Sequence, residues 1–268
     1  MKAYLINLCK KAETPLLAHH LVREYLQARI LQSLQHAGAM QSLAFHRGTA
    51  LRFLYQIPRY SEDLDFALEQ NPDQYNFRDC LSHIERDFLA EAYSINFKIS
   101  DKTAVHKAFV RFSGLLYELG LSAHKNEVIA VKLEIDTNPP GGAVLTSTSL
   151  KRHVALNLLH HDSSSLLAGK LHAVLQRSYP KGRDIFDLWW YLSQTIWAEP
   201  NLYMLNQALL QSGWAGQRIE SNNWRKLIRE RVEQLDWKED VLRDAHAFLV
   251  DSAWKKTVDK DQLLRLLE

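Results

Sequence analysis

Arg59-Tyr60-Ser61-Glu62-Asp63-Leu64-Asp65-Phe66-Ala67-Leu68 carries two messages at once. Leu64, Phe66 and Leu68 alternate with Asp63, Asp65 and Ala67. That is the period-two pattern of a strand with one apolar face and one open face. Asp63 and Asp65 stand two apart, so both project from the open face. Just upstream, Arg47-Gly48-Thr49 marks a turn, and Ala50 to Gln56 reads as a helix through Leu51, Leu54 and Tyr55 until Pro58 ends it. Magnesium takes oxygen ligands and offsets the repulsion between close carboxylates. A turn with free N–H groups nearby can cradle a triphosphate. For an isolated Asp-x-Asp, an exposed acidic strand edge is the plain alternative.

A second acidic strand follows. From Val128 to Asp136, Val131, Leu133 and Ile135 alternate with Lys132, Glu134 and Asp136. Glu134 and Asp136 share a face. Two such strands side by side would gather three or four carboxylates, as two-metal nucleotidyl transfer requires. The alternative is a solvated strand face.

Outward from these strands, a helix is predicted over Pro15–His36, carried by Leu16, Leu17, Leu21, Tyr25, Ile30, Leu31 and Leu34 and stopped by Gly38. Gln41 to Phe45 reads as a short strand and Phe77 to Ala90 as an amphipathic helix. Ser94–Ile99 and His106–Phe112 read as strands. Asn138-Pro139-Pro140-Gly141-Gly142 breaks the chain, and a charge-free loop is expected through Leu150, then a strand over Val154–Leu158. From Ser163 onward the pattern is helical: Ser164–Arg177, Asp184–Gln194, Leu202–Gln211, Trp224–Leu235, Lys238–Trp254 and Asp261–Leu267. Mixed strands followed by helices argue for an α/β domain over 1–160 and a helical domain over 161–268.

The helical half holds two further candidates. Lys170 lies in an apolar stripe with Leu166, Leu167 and Val174, so it must either snorkel or meet an anion. Asp184 and Asp187 share a face beside Arg183, and Asp184 also sits where a helix N-terminus favours a carboxylate. His160-His161 reads as a loop rather than a ligand pair.

Composition bounds the rest. With 268 residues, 46% hydrophobic and 24% charged, the chain can bury a sizeable core and is not disordered. Two cysteines, Cys9 and Cys80, exclude a disulfide scaffold and a cysteine zinc site, and suit a reducing, cytoplasmic setting. No apolar run is long enough for a membrane span, and the N-terminus lacks a signal peptide's apolar core. Gly-x-Ser-x-Gly and Walker lysine loops are missing, which disfavours hydrolase and P-loop readings. The net charge is +2, yet Lys151, Arg152, Lys170, Arg177, Lys181 and Arg183 face a single acid, Asp162, within one stretch. Such a basic island suggests an anionic partner such as RNA, or else a solvated face.

Five blocks, taken in order, carry a resemblance. They are Phe45-His46-Arg47-Gly48-Thr49-Ala50-Leu51, Arg59-Tyr60-Ser61-Glu62-Asp63-Leu64-Asp65-Phe66, Lys132-Leu133-Glu134-Ile135, Leu166-Leu167-Ala168-Gly169-Lys170-Leu171 and Lys181-Gly182-Arg183-Asp184-Ile185-Phe186-Asp187-Leu188. Together they resemble the AbiEii/AbiGii nucleotidyltransferase toxin family. The resemblance implies an α+β fold: a polymerase beta-like nucleotidyltransferase mixed sheet with helices, followed by a helical C-terminal domain. It implies that Gly48 and Thr49 face nucleotide phosphates. Asp63, Asp65 and Glu134, with Asp136 beside them, would hold two Mg²⁺ ions. Lys170 and Arg183 would meet the triphosphate, and Asp184 would complete the site. The implied activity is transfer of NMP from an NTP to an acceptor, the 3′ end of tRNA being the leading choice, by a toxin with a cognate antitoxin. Protein nucleotidylation and a non-catalytic nucleotide-binding module are the rival readings. The family usually has two glycines before the threonine. Here the first is Arg47, which would crowd the phosphate cradle or supply a cation to it.

Overall fold

The computed structural model describes residues 2–194, 198–251, 253–254 and 258–268. Two compact units emerge. The first comprises Met1–Leu54, Tyr60–Pro139 and Ser147–His160; the second comprises Tyr55–Arg59, Pro140–Thr146 and His161–Glu268.

The first unit is built on a sheet whose seven strands are β1 (Leu43–His46), β2 (Asp63–Leu68), β3 (Ile95–Ser100), β4 (Val105–Ser113), β5 (Val128–Asp136), β6 (Leu145–Arg152) and β7 (Val154–His161). Their spatial order is β3-β4-β5-β2-β1-β7-β6. The sheet is mixed: β2 runs parallel to β5 and antiparallel to β1, and β4 is antiparallel to both β3 and β5. The helices of this unit are α1 (Lys2–Lys10), α2 (Pro15–His36), α3 (Arg47–Tyr55), α4 (Phe77–Leu89) and α5 (Leu115–Glu118).

Local chemistry sets the helix ends. Thr14 caps α2, its hydroxyl accepting from the Leu17 N–H at 3.1 Å, with Pro15 in the first turn. At the far end Gly38 adopts φ +75° and turns the chain toward β1. The apolar strand faces then bury Phe66, Val110, Phe112, Val131, Leu133 and Ile135, and α2 and α4 pack in the same unit. The opposite face stays open and carries the charges, which is the division that strand alternation requires.

One ion cluster pins α2 and α3. Buried Glu24 accepts from Arg52 Nε at 2.6 Å and Arg152 Nη2 at 2.9 Å, and His153 Nε2 lies 3.4 Å away. Burial opposes its charge, but His153, Arg52 and Arg152 outweigh that and hold the carboxyl down at about 2.

The second unit is helical: α6 (Ser163–Gln176), α7 (Gly182–Leu192), α8 (Leu202–Gln211), α9 (Trp224–Glu233), a π-helical turn over Trp237–Leu242, α10 (Arg243–His246) and α11 (Lys260–Leu266). Leu171, Ile185, Leu188, Leu205 and Ile228 are fully buried there.

Three local expectations need correction, and one element is unexpected. The unexpected element is a helix over Lys2–Lys10, with Leu5 as its buried anchor. The loop expected through Leu150 ends earlier, because β6 starts at Leu145. This edge strand is Ser/Thr-rich and lacks the apolar alternation that marks the others. His160 and His161 end β7 and are buried, His160 Nε2 lying 2.8 Å from the Thr148 hydroxyl. The long helix expected over Lys238–Trp254 breaks into the π turn, α10 and a turn, with Ser252 outside the described residues. Close packing explains the first break: a Cβ on Gly182 would lie 2.1 Å from the Val241 carbonyl oxygen, so the start of α7 presses directly on the π turn.

Candidate active site

The register between β2 and β5 brings the carboxylates together. Asp63 stands opposite Lys132, Asp65 opposite Glu134, and Ala67 opposite Asp136. On the other side His46 of β1 is opposite Asp65. Because opposed residues share a face, one row crosses the open side of the sheet: Ser100, Lys107, Glu134, Asp65, His46. Next to it runs Lys98, Phe109, Lys132, Asp63. An open cleft lies here, lined by His46, Arg47, Asp65, Phe66, Val105, Lys107, Glu134 and Asp136.

Cations crowd these acids. Arg47 Nη1 lies 2.8 Å from Asp65 Oδ1 and 3.6 Å from Glu134 Oε2. Lys132 Nζ is 2.9 Å and Lys107 Nζ 3.4 Å from Glu134 Oε1. The two carboxylates respond differently. Burial pushes the Asp65 carboxyl up to about 6; Arg47 opposes this, and the charges of Asp63 and Glu134 add to it. Burial also opposes ionisation of Glu134, but Lys132, Arg47 and Lys107 outweigh it and hold this carboxyl below its usual range. For Arg47, burial is outweighed by Asp65 and Glu134, which raise the guanidinium further.

Thr49 and Arg47 shape the turn. Thr49 is wholly buried, and its hydroxyl donates to the Asp63 backbone carbonyl, tying the start of α3 to the start of β2. Its side chain is therefore spent on the scaffold rather than turned to a phosphate. Arg47 adopts φ +62°, the left-handed region that suits glycine. A non-glycine residue there carries strain of order 1–3 kcal/mol.

Oxygen donors side by side, one of them buried with a raised pKa, are chemistry that fits a hard divalent cation. Yet among the described residues no three Asp, Glu, His or Cys side chains converge into a metal-binding group. Arg47, Lys107 and Lys132 stand against the carboxylates instead.

The remaining expected residues lie in the second unit. Lys170 does meet an anion: its Nζ is 3.0 Å from Asp184 Oδ1 and 2.7 Å from Asp187 Oδ2. Asp187 is fully buried and also accepts from Arg59 Nη2 at 2.6 Å. Arg177 pairs with the other oxygen of Asp184. Burial opposes ionisation of Asp184, but Lys170, Arg177 and Arg59 outweigh it and hold this carboxyl down. Arg183 donates its backbone N–H to Asp244 Oδ2 at 2.9 Å, and its guanidinium lies 4.0 Å from the centroid of the Phe248 ring.

The basic island of the sequence is thereby dispersed. Arg152 pairs with Glu24, Lys170 with Asp184 and Asp187, Arg177 with Asp184, and Arg183 with Asp244. Lys151 and Lys181 stay exposed. The cations beside the carboxylates are instead Arg47, Lys107 and Lys132. Lys107 belongs to no motif of the sequence, and its only signal there is the β4 alternation, which places it on the open face.

The sequence profile of the family "Nucleotidyl transferase AbiEii toxin, Type IV TA system" matches residues 29–260. The chain belongs to the AbiEii toxin family. As a member it is a nucleotidyltransferase. Two solved structures share the AbiEii chain's fold. One is a candidate nucleotidyltransferase from H. pylori, 19% identical, covering 92% of this chain and 90% of its own, with a TM-score of 0.55. The other is JHP933 from Helicobacter pylori, also 19% identical with a TM-score of 0.55, covering 92% of this chain and 88% of its own. No curated protein sequence matches the AbiEii chain. Among its described residues, no helix is long and apolar enough to cross a membrane.

Proposed function

We propose that this AbiEii nucleotidyltransferase transfers NMP from an NTP to an RNA acceptor, with the cleft at Asp65 and Glu134 as its catalytic centre. The observation that carries this reading is the parallel register that sets Asp65 beside Glu134 in a cleft lined by Arg47 and Lys107, with Lys132 against Glu134. Asp63, Asp65 and Glu134, with Asp136 beside them, would hold Mg²⁺. A divalent cation there supplies neutralisation of phosphate charge and acidifies an acceptor hydroxyl. Lys107 lines the cleft and Lys132 holds Glu134 from beside it, so the two offset the charge of that carboxylate. The first-turn N–H groups of Gly48 and Thr49 offer donors to a phosphate, while the Thr49 hydroxyl fixes β2.

RNA is favoured as acceptor by the open sheet face. Lys98, Lys107, Arg111 and Lys132 surround Phe109 there, and Phe109 is 39% exposed. An exposed ring among cations offers base stacking with phosphate contacts. The 3′ end of tRNA is the acceptor to test first. The type IV toxin family points to a cognate antitoxin as partner. Lys170 and Asp184 neutralise each other, so in this reading they support the helical unit rather than meet the triphosphate.

The test is mass spectrometry of total tRNA after incubation with Mg²⁺ and all four NTPs. Added nucleotide mass with the native protein, lost in Asp65→Ala, is the expected result. Label found only on protein would replace RNA by protein nucleotidylation; activity retained in Asp65→Ala would remove the carboxylate assignment.

A further inference from the structure

Arg47 joins two observations that have no common explanation in packing. Its backbone holds a conformation that glycine adopts freely and arginine rarely does, φ +62°. Its side chain, half-exposed, nevertheless reaches the point where carboxylates of neighbouring strands face each other: 2.8 Å from Asp65 and 3.6 Å from Glu134. Asp65 is nearly buried, so an unneutralised charge on it is costly. The guanidinium therefore does electrostatically what a small divalent cation would do between the same oxygens, from the mouth of the same cleft.

We propose that Arg47 is a resident counter-ion seated where the cation would go, so that cation entry is coupled to the arrival of a nucleoside triphosphate whose phosphates take Arg47 over. This rests on the nucleotidyl-transfer reading above. The physical argument is an exchange of partners. A divalent ion entering alone must displace Arg47 and leave it beside a like charge. A triphosphate arriving with the ion offers Arg47 new oxygens, and guanidinium binds phosphate in fork geometry as well as it binds carboxylate. The exchange is sterically open because the arginine comes from the solvent side and is half-exposed. Lys107 and Lys132 cannot substitute, because both lie against Glu134 Oε1 rather than Asp65. The coupling makes the metal–nucleotide complex, rather than the free metal, the species that the site takes.

The measurement is Mn²⁺ binding by electron paramagnetic resonance to the full chain and to Arg47→Gly and Arg47→Lys, with folding checked by circular dichroism. Glycine suits the backbone conformation at this position, and lysine keeps the charge. Without nucleotide, Arg47→Gly should bind Mn²⁺ about tenfold more tightly than the native chain, with Arg47→Lys close to native. Calorimetry with each of the four α,β-methylene nucleoside triphosphates, at fixed Mn²⁺, should show the opposite order: weaker binding of the preferred analogue by Arg47→Gly. Equal Mn²⁺ affinity in the native chain and Arg47→Gly overturns the proposal while leaving nucleotidyl transfer standing. Undiminished analogue binding by Arg47→Gly also overturns it. If no protein binds Mn²⁺ with or without analogue, the metal reading of the site falls, and this proposal with it.

Discussion

Asp65 of β2 and Glu134 of β5 stand directly opposite each other on adjacent parallel strands, yet their acidities are moved in opposite directions. Asp65 is the more buried and is pushed up to about 6, while Glu134, beside Lys132, is held down. One carboxyl is thus close to its titration point near neutral pH and the other is a settled anion.

This difference gives a pH-dependent stability. A carboxyl with a raised pKa binds its proton more tightly in the folded than in the unfolded chain. Stability therefore falls as pH rises from about 4 to about 6 and stays reduced above that, by on the order of 3 kcal/mol. Asp65→Asn should accordingly melt higher than the native protein at pH 7.5, with the gain vanishing toward pH 4. Thermal melts of the metal-free proteins across that range check it. A gain that is constant with pH would remove the assigned cause.

Glu24 has the opposite sign. Its carboxyl is held at about 2 by His153, Arg52 and Arg152, so its contribution is present above the unfolded value and is lost as pH falls through the folded one. Glu24→Gln should destabilise the protein by roughly 3 kcal/mol at pH 7. The difference from native should shrink below about pH 4 in urea titrations run at several pH values.

Lys170 balances Asp184 and Asp187 inside the helical unit. Lys170→Met leaves Asp184 to Arg177 and Asp187 to Arg59 and should lower stability by about 3–5 kcal/mol. Asp184→Asn in the Lys170→Met background should restore part of that loss, because its other partner, Arg177, is half-exposed and can turn to water, whereas Asp187 keeps Arg59. If Lys170→Met melts like the native chain and loses only nucleotide binding, the ammonium has the triphosphate role that the resemblance implies.

Thr49 ties α3 to β2 through the Asp63 carbonyl. Thr49→Val keeps the shape but removes this hydrogen bond, costing about 1 kcal/mol. Thr49→Ser should restore most of it. Amide exchange at β2 is the direct readout, and it should accelerate in the valine variant alone.

Elements written in local periodicity are legible in the amino-acid sequence. The helix over Pro15–His36, the strands over Asp63–Leu68 and Val128–Asp136 and the helix over Leu202–Gln211 stand where the spacing of apolar residues puts them. Capping and alternation act within a few residues, so they can be read there. β6 is not legible in this way, because an edge strand of Ser and Thr has no apolar face to announce it. Nor is the broken C-terminal helix, whose break is imposed by contact with Gly182, far away in the chain.

By itself the sequence determined the chemical inventory and its local direction: an apolar and an acidic face on each of two strands, an arginine where a glycine is usual, and a lysine inside an apolar stripe. Only the tertiary structure decided the pairings. Parallel register placed Asp65 beside Glu134 rather than beside Asp136. Folding spent Arg152, Lys170, Arg177 and Arg183 on carboxylates, and set Arg47, Lys107 and Lys132 against the acids instead. The reason is range. Side-chain direction follows from neighbouring backbone geometry, whereas the neutralisation of a buried charge depends on whichever opposite charge the whole fold brings within a few ångströms.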